Sequence, residues 1–190
     1  MADFAQLPAD LPVPHDDDGA AHHLVGMSLP AIPLMSTSGH TADLAQLSGL
    51  AVIYAYPKTG VPGVELPDGW DDMPGARGCT PQACGFRDHY SLLRDLGVSD
   101  VYGLSAQGSE YQQEAVARLH LPFEMLSDSA FELANALNLP TFELSGTRYH
   151  CRLTLVVEDS EIVHTFYPVF PPDTHAAAVQ AWIASERGRH

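Results

Sequence analysis

The pattern of apolar and polar positions predicts a single mixed α/β domain. Residues 50–56 form a continuous apolar run rich in β-forming side chains, which is typical of a strand buried on both faces. Helical periodicity then runs from Phe86 to Leu96 and stops at Gly97. The other predicted elements are helical turns at 41–47, strands at 29–36, 101–105, 123–126, 149–157 and 161–167, and helices at 109–120, 129–137 and 173–186. This order predicts a central mixed sheet with helices on both of its faces.

Prolines and short turns set the expected limits of the domain. Residues 1–26 are rich in Asp, Pro and Ala without a sustained period, so we expect an extended or partly disordered arm before a domain at 27–187. Two prolines in the strand at 29–36 place that strand at a sheet edge. The strands at 149–157 and 161–167 are joined by a tight turn, which predicts a hairpin.

Charge and cysteine content narrow the classes of function. The chain carries 24 acidic and 9 basic residues, for a net charge of −15. A surface of this sign repels phosphate backbones, which argues against nucleic-acid binding. No apolar run reaches about eighteen residues and no leader is visible, so we expect a cytoplasmic protein without a membrane span. Three cysteines do not suit a structural disulfide framework and indicate redox or metal chemistry.

One stretch combines two of these cysteines with a helix start. Thr80 is the expected N-cap, and Pro81 suits the first helical position because its missing N–H has no intrahelical partner there. Cys79 would then lie where the unpaired amides and the positive end of the helix dipole stabilise a thiolate, with Arg77 close by. The sequence therefore predicts that Cys79 is reactive.

The motifs around this helix resemble those of the Q-type peroxiredoxins, also called bacterioferritin co-migratory proteins. The matching segments are Tyr-Ala-Tyr-Pro-Lys at 54–58, Gly-Cys-Thr-Pro-Gln-Ala-Cys-Gly-Phe-Arg-Asp at 78–88, Leu-Ser-Asp at 126–128, and Arg152 in the strand predicted at 149–157. They occur in the family's order across roughly residues 29–183. The resemblance implies a thioredoxin-like fold and thiol-based reduction of hydrogen peroxide and organic hydroperoxides, without a cofactor.

The resemblance also implies roles for individual residues. Cys79 matches the peroxidatic cysteine, which is oxidised to a sulfenic acid, and Cys84 matches the resolving cysteine, which then forms an intramolecular disulfide with it. Arg152 matches the arginine that orients the peroxide, and Gln82 matches the residue that holds this arginine. Arg87 matches an arginine near the site. A thioredoxin-type dithiol would recycle the disulfide, and relatives of this type are often monomers.

One position departs from the family pattern. The family carries a threonine three residues before the peroxidatic cysteine, where this chain has Ala76, and the preceding loop is longer than usual. We expect Thr59 to fold back and supply the missing hydroxyl. The long insertion (residues 59–76) contains Trp70 and Met73, which need a surface to cover, so we hypothesise that it forms a lid over the pocket rim. The alternative is a decoration packed elsewhere.

Helix geometry constrains the disulfide. Residues five apart in an intact helix have Cα atoms roughly 8.7 Å apart, from a 1.5 Å rise and 100° per residue. A disulfide requires about 4.4–6.8 Å. A bond between Cys79 and Cys84 therefore requires the first helical turns to unwind, and Gly85 weakens the helix there.

Other functions are compatible with the same residues. From the residues alone, Cys84 is as well explained as an inert helix cysteine. Zinc could be held by Cys79, Cys84 and His89 with His150 or Cys151, although five-residue steps rotate by roughly 140° and scatter ligands around a helix. A thioredoxin-fold binding module without turnover is a third possibility. We interpret Cys151 as a core thiol, because neighbouring strand residues face opposite sides and Arg152 faces the site.

Overall fold

A computed structural model describes residues 7, 9–15 and 19–188. Nine strands and four helices are assigned within these residues. In chain order they are β1 (Pro33–Ser36), β2 (Thr41–Asp43), β3 (Leu50–Ala55), α1 (Cys79–Asp95), β4 (Val98–Ser105), α2 (Ser109–Leu119), β5 (Glu124–Ser127), α3 (Glu132–Leu137), β6 (Thr141–Leu144), β7 (Thr147–His150), β8 (Leu153–Glu158), β9 (Glu161–Phe166) and α4 (His175–Arg187). None of the described helices is both long enough and apolar enough to span a bilayer.

The central element is β3, as its apolar sequence predicts. Seven strands form one mixed sheet in the order β2-β1-β5-β4-β3-β8-β9, in which β3 is parallel to β4 and antiparallel to β8. All six residues of β3 are buried. Side chains alternate between the faces: Ile53 joins a core that includes α3, whereas Val52 and Tyr54 join a second core with α1 and α4. Helices therefore cover both faces of the sheet, which confirms the expected architecture.

The prediction of one strand at 149–157 is wrong, because this segment contributes to two strands in different sheets. The chain first forms β7, which pairs with β6 in a separate two-stranded sheet, and then β8, which joins the central sheet. A two-residue turn at Ser145 and Gly146, both with positive φ, closes the β6–β7 hairpin. Cys151 and Arg152 lie in the link between the two sheets rather than on a strand. The predicted hairpin of β8 and β9 is confirmed.

Two smaller expectations are also corrected. The segment 41–47 contains β2 followed by a 3₁₀ turn, Leu44–Gln46, which is capped by Asp43 through the Ala45 N–H at 3.0 Å. β1 pairs with both β2 and β5, so the short β2, not β1, is the outermost strand at that end of the sheet.

The predicted N-terminal arm is partly packed. Within it, His22–Leu24 form a 3₁₀ turn, Leu24 is buried in the α3-side core, and the Gly26 N–H donates to Ile162 O at 2.8 Å. Further upstream, Pro14 lies against Gly75. The prediction for residues 1–6, 8 and 16–18 lies outside the described residues.

Candidate active site

The helix that begins at Cys79 starts from a glycine, not from the predicted threonine cap. Gly78 is the N-cap, in the left-handed region with φ 100°, and its carbonyl accepts the first helical hydrogen bond from Gln82 N at 3.0 Å. Cys79 is therefore the first helical residue, and Thr80 lies inside the helix. Pro81 remains in the first turn, where an N–H would have no intrahelical partner.

Gly78 is required at this position for two reasons. Its positive φ strains any side chain, and a Cβ atom there would lie 2.3 Å from Pro172 Cγ and 3.0 Å from Leu7 Cδ2. The segment before α4 and the N-terminal residues thus pack directly against the start of α1. This close packing holds Cys79 with only 3% of its surface exposed.

Arg152 reaches Cys79 from the link between β7 and β8. Its Nη2 donates to Cys79 Sγ at 3.3 Å, and its Nη1 donates to the amide oxygen Oε1 of Gln82. Arg152 and Gln82 are both buried. The sequence predicted these three residues as a group, and the structure brings them together.

The insertion supplies the remaining acceptors of Arg152. Nη2 also lies within hydrogen-bond distance of the carbonyl oxygens of Arg77 at 2.9 Å, Gly75 at 3.2 Å and Ala76 at 3.4 Å. The Cys79 thiol is 3.5 Å from the same Ala76 oxygen. The end of the insertion is thus tied to both the arginine and the cysteine, a contact for which the sequence carries no signal.

The hydroxyl of Thr59 is engaged away from Cys79. Thr59 is fully buried, and its Oγ1 donates to Gln107 Oε1 at 3.2 Å while its carbonyl accepts from the Tyr111 hydroxyl at 3.0 Å. Its neighbours Lys58 and Gly60, not Thr59, are among the described residues that line the space beside Cys79. The expectation that Thr59 folds back over the cysteine is corrected, because α2 and the preceding loop hold its polar groups.

Trp70 is placed close to the site, as the lid hypothesis requires. It lines the space beside Cys79 together with Leu66, and it is buried in a cluster with the β6–β7 hairpin. Its ring makes an edge contact with Tyr149 at a centroid distance of 5.1 Å. Met73 packs against the same cluster.

Cys84 lies five residues further along an unbroken helix. Its thiol is free and half-buried, and Cys79 is also free. Arg87, one turn on, donates from Nε to Asp88 at 2.8 Å and from Nη1 to Leu119 O at 2.9 Å. Its hydrogen bond to Asp88, with a smaller contribution from Cys84, raises the pKa of the guanidinium.

Behind Cys84 the helix is fixed by aromatic contacts. Phe86 is fully buried and stacks on Tyr54 of β3 with ring centroids 4.4 Å apart. Burial raises the pKa of Tyr54 far above its usual range, so this phenol is neutral. Gly85 faces α4, where a Cβ atom would lie 3.1 Å from Asp173 O. Because Gly85 has no side chain, the two segments can approach closely here, and the same lack of a side chain weakens the helix.

His175 is close enough to Arg152 to feel its charge, and the sequence does not single it out among the ten histidines of the chain. It is the first residue of α4, and its Nε2 lies 2.8 Å from Thr154 Oγ1 in the core. Burial and the positive charge of Arg152 lower the pKa of His175 to about 4. The imidazole is therefore neutral at physiological pH.

The residues considered for zinc do not converge. Within residues 7, 9–15 and 19–188, no group of three or more His, Cys, Asp or Glu side chains lies close enough to hold a metal ion. His89 Nδ1 bonds Gly85 O at 2.9 Å on the helix surface. His150 is buried beside Asp128, with Nε2 3.2 Å from Oδ2. Cys151 lines a cavity next to Met73 and Phe142, which Arg152 also borders but Cys79 does not.

Comparisons with known proteins point to one family. The family model described as Redoxin matches residues 24–181. A putative peroxiredoxin bcp from Coxiella burnetii is 31% identical over 159 residues, covering 82% of this chain and 95% of that protein. The chain belongs to the redoxin family, as a Q-type peroxiredoxin. Chloroplastic peroxiredoxin Q from Sedum lineare is 30% identical over 152 residues, covering 79% of this chain and 72% of that protein.

Solved structures share the fold of this peroxiredoxin. Peroxidoxin BcpB from Mycobacterium tuberculosis has a TM-score of 0.67 at 21% identity, covering 85% of this chain and 96% of that one. Xanthomonas campestris peroxiredoxin Q also has a TM-score of 0.67, at 22% identity, covering 86% and 98%. The fold is thioredoxin-like, as predicted. The enzyme is a thiol-dependent peroxidase that acts on peroxides and uses a thiol reductant; zinc binding and an inert binding module are not favoured.

Proposed function

We propose that Cys79 is the peroxidatic residue of this enzyme. Its thiolate attacks the terminal oxygen of a hydroperoxide, so that an S–O bond forms and the O–O bond breaks. The departing oxygen takes up a proton and leaves as water or an alcohol. The sulfur is oxidised to a sulfenic acid while the peroxide is reduced by two electrons. The observation that carries this proposal is the 3.3 Å contact between Arg152 Nη2 and Cys79 Sγ at the start of α1.

Arg152 stabilises charge at the reacting atoms in this proposal. A guanidinium beside the sulfur favours the thiolate and can donate to the peroxide oxygens as negative charge moves onto the leaving group. Gln82 acts through Arg152, because its amide oxygen fixes the orientation of Nη1. Thr59 has no part in this proposal, since its hydroxyl is bonded to Gln107.

Cys84 is the proposed resolving residue. Its thiolate attacks the Cys79 sulfenic sulfur, an S–S bond forms, and the hydroxyl leaves as water after taking up a proton. An intact α1 holds the two sulfurs on separate turns, so residues 79–85 must unwind. The stack of Phe86 on Tyr54 supports an unwinding that stops there, which keeps the rest of α1 in place. Arg87, one turn from Cys84, is proposed to favour the attacking thiolate.

The reductant is proposed to be a thioredoxin-type dithiol, which reduces the Cys79–Cys84 disulfide by thiol–disulfide exchange. We further propose a cytoplasmic monomer, with a peroxidase domain at 27–187 and an N-terminal arm at 1–26. The burial of Leu24 supports an arm that is anchored at its C-terminal end.

The direct test is hydrogen peroxide consumption with thioredoxin and its reductase supplied. We expect Cys79→Ser to abolish turnover while circular dichroism shows an intact fold. Cys151→Ser is the matched control and should keep wild-type turnover, because Cys151 is not among the described residues that line the space beside Cys79. Turnover retained in Cys79→Ser would transfer the peroxidatic role to Cys84 or Cys151.

A further inference from the structure

The space beside Cys79 is very small. Its volume is about 20 Å³, and Cys79 itself is almost completely buried. A cavity of roughly 10–15 Å³ is the minimum that holds one water molecule. On this scale the space holds one or two water-sized groups, such as the two oxygens of a peroxide, whereas an alkyl or aryl substituent on the second oxygen needs room for several more. The size of the site therefore limits which peroxides can reach the Cys79 sulfur.

The walls that limit this space come from the insertion. Leu66, Trp70 and Ala76 of the insertion line it together with Cys79. Trp70 is only 3% exposed, and Tyr149 and Phe142 hold its ring at centroid distances of 5.1 and 6.4 Å. The wall is thus packed against the β6–β7 hairpin.

The backbone of the insertion is also fixed. Successive turns bond Trp70 N to Pro67 O at 3.1 Å and Ala76 N to Met73 O at 3.1 Å. The carbonyls of Gly75 and Ala76 are held by Arg152. Moving the wall outward would disturb the packing of Trp70 and the arginine that the reaction needs.

A substituent on the peroxide has to share the same small space with the O–O group, and Leu66 and Trp70 line that space. We propose that Leu66 and Trp70 form a size filter that makes the enzyme select hydrogen peroxide over hydroperoxides with bulky substituents. The inference rests on the proposed peroxidatic role of Cys79. Bulky hydroperoxides react only when the wall is displaced, and their rates are lowered accordingly. Forcing extra carbon atoms into a packed wall raises the barrier to reaction. We therefore expect bulky hydroperoxides to react about tenfold or more slowly than hydrogen peroxide.

The test compares oxidation rates of Cys79 by hydrogen peroxide, tert-butyl hydroperoxide and cumene hydroperoxide. Reactions are quenched with an alkylating reagent, and the reduced Cys79 that remains is measured by mass spectrometry. This readout does not depend on tryptophan fluorescence, which the variants themselves would change. The variants are Trp70→Ala and Leu66→Ala, each checked by its melting temperature. Trp182→Ala is the matched control, because Trp182 stacks on His164 at 4.2 Å and lines a different cavity.

We expect wild type to favour hydrogen peroxide over cumene hydroperoxide by about tenfold or more. Either insertion variant should reduce this ratio by raising the cumene hydroperoxide rate, and Trp182→Ala should leave it unchanged. Equal wild-type rates for all three peroxides would overturn the size filter, even if Trp70→Ala fails to fold. So would a ratio that is unchanged in Leu66→Ala. Failure to react with hydrogen peroxide itself would instead overturn the proposed function.

Discussion

Arg152 Nη2 lies 3.3 Å from Cys79 Sγ, although 73 positions separate the two residues in the chain. The same nitrogen lies 2.9 Å from Arg77 O, so the guanidinium is fixed at both the cysteine and the loop before it. A guanidinium stays charged at all physiological pH values. The positive charge beside the sulfur is therefore permanent.

Replacing Arg152 should slow the reaction with peroxide far more than it lowers stability. A charge-assisted donor at the reacting oxygens lowers the barrier by about 2–4 kcal/mol, so Arg152→Ala should reduce the Cys79 oxidation rate by about 30- to 1000-fold. Rapid-quench measurement of Cys79 oxidation checks this. Arg148→Ala is the control, because Arg148 bonds Asn135 and Thr141 instead. Equal rates for Arg152→Ala and wild type would remove Arg152 from the site.

Replacing Cys84 should separate the two chemical steps. In Cys84→Ser the first oxidation of Cys79 keeps its wild-type rate, because α1 is intact when peroxide reacts. Turnover with thioredoxin should stop, and the sulfenic acid should accumulate and be trapped by dimedone. Mass spectrometry of the trapped product provides the measurement. A Cys79–Cys151 disulfide in this variant would show that a different thiol resolves the intermediate.

Replacing Thr59 should have little effect on the rate with peroxide. Its hydroxyl donates to Gln107, so Thr59→Val removes a bond to the loop before α2 rather than a group beside Cys79. The Cys79 oxidation rate should match wild type, while the melting temperature falls. A large loss of rate with an unchanged melting temperature would restore the role that the sequence suggested for this hydroxyl.

His175 should make the fold sensitive to mild acid. Its pKa is lowered from 6.5 to about 4, so the unfolded chain takes up a proton near pH 6.5 while the folded protein does not. This contribution to stability is complete above pH 6.5 and is lost as the pH falls towards 4, at about 1.4 kcal/mol per pH unit. Urea unfolding at several pH values measures it. His175→Gln should show a flatter dependence between pH 6.5 and 4, and parallel curves would contradict the assignment.

Trp70 emission should report the redox state of the cysteines. The Trp70 ring borders the space beside Cys79, so unwinding of residues 79–85 changes its surroundings. We expect oxidised and reduced protein to differ in emission in a Trp182→Phe background, where Trp70 is the remaining tryptophan. Identical spectra, together with unchanged peroxide rates after the insertion is shortened, would rule out the lid.

The sequence predicts much of this molecule, because some local patterns allow few alternatives. The apolar run at 50–56 has to be a strand buried on both faces, and the motif at 78–88 identifies the family. The β6–β7 hairpin was missed because Tyr149 and the residues of β8 read as one β-rich run, with only Ser145 and Gly146 marking a turn.

The rest of the site depends on contacts between distant segments. Gly78, not Thr80, is the cap, and Pro172 and Leu7 leave no room for a side chain there; neither neighbour is visible from local sequence. The bonds from Arg152 to the insertion carbonyls likewise depend on where residues 75–77 fold. Ala76, which departs from the family pattern, contributes its backbone oxygen, and that atom is the same in every residue type.

The neutrality of Gln82 has a consequence for the timing of the catalytic cycle. In the part of the chain that the structure describes, the acceptors of Arg152 are the Gln82 amide, three carbonyls and Cys79, so the Cys79 thiolate of the proposed mechanism is its only anionic partner. A buried guanidinium without a counterion is strongly disfavoured. Oxidation to a sulfenic acid removes that counterion while Arg152 stays charged. In the proposed cycle, the first chemical step therefore weakens the contacts between Arg152 and Cys79 just before residues 79–85 unwind.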